Sequence, residues 1–352
     1  MVCYWRDERL IFHNFLTQRQ ITASPLTTTI LDFFGRWRPV TELCAALPRY
    51  TPASLRTAVR LLVQHAMLDR DDRSPIKGTN ELATWGEWNP AAGFFHLSTK
   101  DFPFESDLEV EFRGLVRKSK IKPILLPVKR YRNAPQVILQ SAKADSEFPG
   151  VLLARRTWRK FSARPVELPV LGELLGLTYG VQKWVHLPQI GQIALKTSPS
   201  GGALHPVECY VMARNVLGLS AGVYHYEAGS HRLELLRRGA SSAVIVKLLA
   251  DQSWYGGAAF AVFMTGVFAR TQWKYDYARA YRAVLMEAGH LCQTFCLTAT
   301  WLDLAPFCTI AFADSKIERM LRVDGVSESV LYVAGAGVRP ECSRHANLLS
   351  ET

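Results

Sequence analysis

Apolar runs and alternating stretches are concentrated in the second half of the chain, where they predict strands. Val207–Val216 and Ala258–Phe268 are almost continuously apolar, which is typical of strands buried on both faces. Gly222–Tyr226 and Arg232–Arg237 flank a short turn of small and polar residues and predict a β-hairpin. Val330–Ala334 is a further apolar run and predicts another strand.

Apolar residues spaced three and four apart predict one long core helix. They are Tyr281, Val284, Leu285, Ala288, Leu291, Cys292, Phe295 and Ala299. Leu168–Leu177 predicts a second helix. Because strands and helices follow one another in mixed order, we predict an α+β fold in which helices flank a mixed sheet.

Shorter helical patterns fill the chain from Thr29 to about Arg70. Thr41 and Thr51 stand where new helices begin, and Pro48 ends the helix between them. Three short helices followed by a charged exit resemble a winged-helix module, which is a common and weakly specific pattern. We therefore predict a small helical, winged-helix-like domain at residues 1–75.

Residues 76–150 show no sustained period, yet they include Trp85, Trp88, Phe94 and Phe95. Aromatic residues at this density are not typical of a disordered tether. We expect an irregular, aromatic-rich arm that packs on a catalytic domain formed by residues 151–352.

The composition is that of an ordinary globular protein, with 48% of the 352 residues hydrophobic and 21% charged. No segment approaches the roughly 18 uninterrupted apolar residues of a membrane span, and the first ten residues lack a signal-peptide pattern. We expect a soluble cytoplasmic protein with no membrane partner. The net charge of +11 favours an anionic partner, either a nucleic acid, an acidic peptide or a cofactor phosphate.

The cysteines are odd in number and scattered, which favours reduced core thiols over a disulfide framework. They are Cys3, Cys44, Cys209, Cys292, Cys296, Cys308 and Cys342. Cys292 and Cys296, four apart and near His290, could present metal ligands on one helix face. Core packing is the preferred interpretation because the sequence shows no second ligand cluster, so we predict no metal.

Two short motifs carry the candidate chemistry. Residues 155–160 supply four cations and a hydroxyl, which suit a phosphate or an anionic flavin edge, with a solvated basic turn as the simpler alternative. Residues 197–206 are rich in small residues, which let a backbone approach a flat ring or a phosphate closely.

The two motifs, in this order and spacing, resemble those of the nitroreductase superfamily. A narrower resemblance, to its SagB-type (McbC-like) branch with the azoline dehydrogenases, rests on Gly222–Tyr226, Lys274-Tyr275 and Glu287–His290. The resemblance covers about Val151 to Gly337, with Trp88–Asp101 similar to the arm of longer members. It implies a nitroreductase-like fold, bound FMN, and a homodimer whose interface contains the site.

The resemblance also implies roles for single residues. The FMN phosphate, ribityl chain or pyrimidine edge would bind Arg155, Arg156, Thr157 and Arg159. The residues expected to lie against the flavin from the partner subunit are Pro199, Ser200, Gly201 and Gly202. The chain departs from the family pattern at Asp303-Leu304 and at 309–312. Arg339 is either a phosphate ligand or a surface arginine.

Lys274 and Tyr275 match a Lys-Tyr pair that azoline-oxidising members use in catalysis. A free tyrosine, with a pKa of about 10, is a poor base at neutral pH, so a nearby cation that favours phenolate would help. Adjacent residues on a regular helix do not face each other, so we expect the pair in the loop before the long helix. The alternative is an exposed lysine beside a packed tyrosine. Further candidate bases, each with a structural role as the alternative, are His205, His225 and His290.

The leading hypothesis is an FMN-dependent oxidase or dehydrogenase that converts thiazoline or oxazoline rings of a ribosomally made peptide into azoles. The first alternative is an NAD(P)H-linked reductase or dehydrogenase of a free small molecule. A flavin-containing winged-helix regulator is the second, but the third helix offers only Arg56, Arg60 and Gln64 to DNA, so nucleic acid is not expected. Expected partners are a second copy of the chain, the substrate, and a cyclodehydratase complex.

Overall fold

The computed structural model of the chain describes residues 1–341, apart from residues 73, 75, 123–126, 128–138 and 140–144. Cys342 therefore lies outside the described residues. Within these described ranges, none of the helices is long and apolar enough to span a bilayer.

Helices and strands are distributed along the whole described chain. The helices are α1 (Pro25–Phe33), α2 (Val40–Ala46), α3 (Pro52–Gln64), α4 (Thr79–Ala83), α5 (Ala91–Ser98), α6 (Leu108–Ile121), α7 (Glu147–Ala154), α8 (Leu168–Tyr179), α9 (Ser242–Leu248), α10 (Phe268–Gln272), α11 (Tyr281–Trp301) and α12 (Asp314–Leu321). The strands are β1 (Val2–Arg6), β2 (Arg9–Asn14), β3 (Arg19–Thr22), β4 (Val166–Glu167), β5 (Lys183–Leu187), β6 (Gly191–Leu195), β7 (Val207–Ala213), β8 (Val216–Leu217), β9 (Gly222–Glu227), β10 (Arg232–Arg238), β11 (Phe260–Val267), β12 (Leu304–Thr309) and β13 (Glu328–Val338).

Contacts between residues divide the chain into two compact units. The first unit consists of Met1–Lys100, Phe268–Arg282 and Asp324–Glu328. The second unit consists of Asp101–Val267, Ala283–Val323 and Ser329–Thr352. Because the chain returns twice to the first unit, these units do not coincide with the consecutive segments expected from the sequence.

A six-stranded sheet forms the centre of the second unit, in the order β10-β9-β7-β11-β13-β12. The predicted hairpin is confirmed, since β9 and β10 pair antiparallel with one register shift between Leu235 and Arg237. The two predicted helices are confirmed as α8, which precedes the strands of this sheet, and α11, which lies between β11 and β12 in sequence. Helices that flank a central sheet are the α+β architecture that the sequence predicted.

Strand β11 shows why this sheet is buried on both faces. Phe260, Val262 and Met264 belong to the core cluster that α8 and α11 also line. Ala261 and Phe263 point the other way, into the cluster lined by α9 and α12. Successive side chains alternate between the two faces of a strand, so a continuous apolar run is what a central strand requires.

The first unit contains its own small sheet and helical core. Strands β1, β2 and β3 pair antiparallel in that order. Helices α1, α2 and α3 bury Ile30, Leu43, Leu55 and Leu62 in one cluster with Met67. The predicted helices are present, but the first 22 residues form strands that a purely helical domain would lack. The exposed face of α3 carries Arg56, Arg60 and Gln64.

The segment expected to be irregular instead contains α4, α5, α6 and α7. In α5 and α6 the sequence shows no helical period, for two different reasons. Helix α5 is mostly apolar, and Ala92, Gly93, His96 and Leu97 are buried. Helix α6 has no buried residue at all, and Asp107 caps it by accepting from backbone N–H groups of its first turn.

Candidate functional site

The loop 197–206 is fastened to helix α11 by side-chain contacts. Ser200 donates a hydrogen bond from its hydroxyl to the Glu287 carboxylate. The Ser198 and Thr294 hydroxyls lie 2.7 Å apart and share a second hydrogen bond. His290 Nδ1 lies 3.3 Å from the Pro199 carbonyl oxygen. The loop that the sequence motif marked is therefore held at both ends of its Pro-Ser core by one helix.

Glu287 is a buried carboxylate, with 3% of its surface exposed. Burial raises its pKa, while the hydrogen bond from Ser200, the charge of Lys196 and the Val207 N–H all oppose that rise. His205 adds to the network, because its backbone N–H donates to Ser200 Oγ at 2.9 Å and its ring Nδ1 lies 3.9 Å from Glu287. Ser200 thus joins a buried acid to the backbone of its own loop.

The backbone of this loop adopts left-handed conformations in quick succession. Gly202 has a φ of 70°, and Ala203 and His205, which are not glycines, have φ values of 56° and 44°. Such values strain residues that carry a Cβ, and strained backbones cluster where a ligand is held. The Ser200 and Glu287 contacts are what hold the loop in this shape.

The basic motif contributes four cations, Arg155, Arg156, Arg159 and Lys160. Among the described residues, none of the four forms an ion pair with Asp or Glu. Arg159 stacks on Trp254, with its Cζ 5.2 Å from the ring centroid. Its Nε is buried and has no hydrogen-bond acceptor among the described residues. A buried, fixed donor with an uncompensated charge fits an anionic ligand group.

The other residues of the motif have different partners. Arg156 donates from Nη1 to the carbonyl oxygens of Leu153 and Arg155, both at 2.8 Å, and so caps the end of α7. Trp158 is buried, and its backbone N–H donates to the Pro306 carbonyl at 2.9 Å. The motif is thereby anchored to strand β12.

Arg339, considered from the sequence as a phosphate ligand or a surface arginine, is partly buried and hydrogen-bonded to protein atoms. Its guanidinium donates to the Leu304 and Thr300 carbonyls at 2.9 and 2.8 Å, and to Asp303 at 2.7 Å. It therefore ties the end of α11 to the start of β12. Asp303, which replaces the usual glycine of the family pattern, has a φ of 56°. Glycine adopts this left-handed conformation freely, whereas Asp303 adopts it while its side chain is paired with Arg339.

Lys274 and Tyr275 lie between α10 and α11, in the loop position that the sequence predicted. Lys274 is exposed, and its Nζ lies 5.4 Å from the centre of the partly buried Tyr275 ring. Tyr277 provides a second ring 6.0 Å away. The pair belongs to the first compact unit, whereas Arg155, Arg159 and Ser200 belong to the second.

The arm residue Trp88 holds the Lys-Tyr loop in place. Its indole Nε1–H donates to the Tyr275 carbonyl oxygen at 3.0 Å, and the ring is fully buried. Trp85 donates in the same way to the Val326 carbonyl at 3.1 Å. Both rings contact Phe268, at the start of the helix that leads into the loop.

His96, also from the arm, extends this cluster. Its Nδ1 lies 2.8 Å from the Tyr281 hydroxyl and its Nε2 lies 3.2 Å from the Gly325 carbonyl. Complete burial lowers the pKa of His96 to about 3, so the ring is neutral. The arm residues and the Lys-Tyr loop therefore pack together in one aromatic cluster within the first unit.

The three candidate histidine bases all have structural partners. His205 Nε2 lies 2.9 Å from the Ala194 carbonyl, and His290 contacts the Pro199 carbonyl. His225 lies between Glu208 and Glu234, at 3.0 and 2.8 Å. The hydrogen bond to Glu208, with that to Glu234, raises the pKa of His225 to about 9.

The contacts of Ser198, Glu287 and Trp88 were not predicted from the sequence. A glutamate on the long helix stood out only through the family resemblance, because its Ser200 contact joins residues 87 positions apart. Trp88 was visible as an arm aromatic, but its contact with Tyr275 spans 187 positions. No local pattern signals either contact.

Comparisons with known proteins agree with this architecture. The model of the nitroreductase family matches residues 152–338, which is more than half of the chain. A putative nitroreductase of Methanocaldococcus jannaschii is 31% identical over 173 residues, covering 49% of this chain and 83% of that protein. The microcin B17-processing protein McbC of Escherichia coli is 31% identical over 131 residues, covering 36% of this chain. That match spans 48% of McbC, so the chain covers about half of this relative.

A solved structure is similar over most of the chain. The E. coli microcin synthetase McbBCD complex with truncated pro-MccB17 bound contains a chain that aligns with 76% of this one. The alignment covers 99% of that chain with a TM-score of 0.54 and 22% sequence identity. At this identity the likeness concerns the fold.

Proposed function

Because the chain belongs to the nitroreductase family and resembles its McbC-like branch, we propose that it is an FMN-dependent oxidase of azoline rings in a ribosomally made peptide. The observation that carries the cofactor assignment is the buried Nε of Arg159, which has no hydrogen-bond acceptor among the described residues, in the motif that also contains Arg155. Members of this family are generally flavin enzymes, and the chain is accordingly an oxidoreductase.

The residues present fit FMN. Arg155 and Arg159 supply the charge and the donors that a phosphate or an electron-rich ring edge requires, and Thr157 adds a hydroxyl. The small residues of the Pro199–Gly202 segment allow the close approach of a planar ring. When bound, FMN supplies the two-electron acceptor that oxidation of a carbon next to nitrogen needs.

We assign the proton transfer to the Lys-Tyr loop. In this proposal Tyr275 accepts the proton from the ring carbon, and the positive charge of Lys274 favours the phenolate that can do so. Trp88 keeps the backbone of Tyr275 fixed, so that the phenol is presented in one orientation.

A peptide substrate is supported by the relative McbC, whose name describes processing of the microcin B17 peptide. We propose a cyclodehydratase complex as partner, which is supported by the similar fold of a chain that belongs to the microcin synthetase McbBCD complex. We also propose a homodimer, which light scattering of the purified protein tests directly.

The deciding experiment is anaerobic mixing of the flavin-loaded protein with a thiazoline-containing peptide. The flavin absorption should bleach, whereas the same peptide with an uncyclised cysteine should leave it unchanged. Tyr275→Phe should slow bleaching on the order of 100- to 10,000-fold. Tyr277→Phe, a neighbouring tyrosine of the same loop, is the matched control and should keep the rate.

The second candidate function is an NAD(P)H-linked reductase, which is favoured by the resemblance to the M. jannaschii protein over 83% of its length. Bleaching by NADPH, with no response to the thiazoline peptide, would establish this alternative. Absence of bleaching by either compound, in a protein whose flavin dithionite still reduces, would refute both functions.

A further inference from the structure

Three cysteine side chains that are separated in sequence meet inside the second unit. Cys292 and Cys296 lie one turn apart on α11, and Cys308 comes from the neighbouring strand β12. Their sulfur atoms all lie within 4.8 Å of one another. The first two are buried at 3% exposure each, and Cys308 is half-buried.

This spacing is close to what a single metal ion requires. Thiolate sulfurs bind zinc at about 2.3 Å, so three sulfurs spread evenly around one ion lie about 4 Å from one another. Small side-chain rotations would therefore bring all three sulfurs onto one ion. The half-buried Cys308 marks the side from which an ion can enter.

The half-buried sulfur also has a neighbouring polar group. The Tyr332 hydroxyl donates to Cys308 Sγ at 3.7 Å. A metal ion that binds cysteine displaces the proton of each thiol that it ligates.

We propose that Cys292, Cys296 and Cys308 bind one soft, thiophilic metal ion, copper(I) or zinc(II). Sulfur ligands select soft ions, and an all-sulfur set excludes magnesium, calcium and manganese as preferred occupants. Three ligands suit copper(I), which does not need a fourth. Zinc usually has four ligands, and the Tyr332 hydroxyl is the candidate fourth. The inference does not depend on the proposed function.

The test is an anaerobic titration of the full-length, reduced protein with copper(I) and, separately, with zinc(II), each in competition with a colorimetric chelator. One equivalent of at least one ion should bind, with release of protons from the thiols. The ion that binds in competition identifies the occupant. Failure of both ions to compete overturns the proposal.

Cys308→Ser is the first variant, because this half-buried position tolerates the change better than the two core positions. It should weaken binding by more than about 100-fold, since even the loss of a residue that only supports a metal ligand costs 10- to 100-fold. Cys292→Ala is the second variant and should behave alike if circular dichroism shows an intact fold. Cys44→Ser, a thiol of the first unit, is the control and should bind as wild type. Wild-type affinity in Cys308→Ser, or loss of binding in Cys44→Ser, places any bound ion elsewhere and refutes the site.

Discussion

Because Ser200 donates to the buried Glu287 carboxylate, we predict that Ser200→Ala destabilises the protein more than the same change at a neighbouring serine. Ser200→Ala removes a donor from a buried carboxylate and an acceptor from the His205 N–H. A hydrogen bond to a charged group contributes about 1.5 to 3 kcal/mol, and the His205 N–H loses part of its own contribution. We expect a total loss of about 3 kcal/mol in the free energy of unfolding.

Ser198→Ala is the matched control, in the same loop and with the same change of side chain. Among the described residues its hydroxyl bonds only another hydroxyl, that of Thr294, so about 1 kcal/mol should be lost. With about 2 to 4 °C per kcal/mol for a domain of this size, the melting temperature should fall by roughly 6 to 12 °C for Ser200→Ala and roughly 2 to 4 °C for Ser198→Ala. Thermal unfolding followed by circular dichroism, with flavin removed, measures both.

The pH dependence provides a sharper check. Burial raises the pKa of Glu287, and the Ser200 hydroxyl stabilises its charged form against that rise. The destabilisation by Ser200→Ala should therefore be present above the folded pKa of Glu287 and should shrink as the pH falls through it. Equal losses in the two serine variants, or a loss independent of pH, would refute this account of the loop.

Three further outcomes are expected. The double variant Arg155→Ala and Arg159→Ala should purify with little FMN, because about 1.5 to 3 kcal/mol of charge-assisted binding is lost at each position; full flavin content would contradict the cofactor site. Trp88→Phe should lower turnover without lowering flavin content, whereas Trp85→Phe, which loses an equivalent bond elsewhere, should not; equal turnover in the two variants would contradict the positioning role. His225→Gln should destabilise the protein below pH 6.5, and the difference from wild type should be lost as the pH rises through about 9. Denaturant midpoints of both proteins at several pH values measure this difference in stability.

Much of the second unit could be predicted because its signals are periodic and local. Helix α11 keeps one apolar face over its length, and β7 and β11 are continuous apolar runs. The first hairpin could not be predicted, because β1 and β2 are joined by Asp7 and Glu8 at φ values of 48° and 59°. Such turns are signalled by Asn-Gly or Asp-Gly, and Asp-Glu carries no such signal.

The candidate site could also be predicted from the sequence only in part. The small-residue loop and the arginine motif are contiguous in sequence, so their residue types could be interpreted directly. Their contact partners are distant in sequence. Arg159 contacts Trp254, Ser200 contacts Glu287, and Cys308 lies beside the two helix thiols. Only the fold brings these residues together, and no spacing rule anticipates contacts of that range.

The first unit consists of three separate segments of the chain, and this limits which chimeras with a related protein can fold. A crossover near residue 100 between two diverged relatives would join Trp85, Trp88 and His96 of one parent to the segments 268–282 and 324–328 of the other. The two indole rings would then pack against the other parent's residue at position 268, and His96 would meet the other parent's residue at position 281. Productive chimeras should therefore inherit all three segments from one parent, and substitutions in the arm should co-vary with substitutions in the Lys-Tyr loop rather than with the residues that follow the arm in sequence.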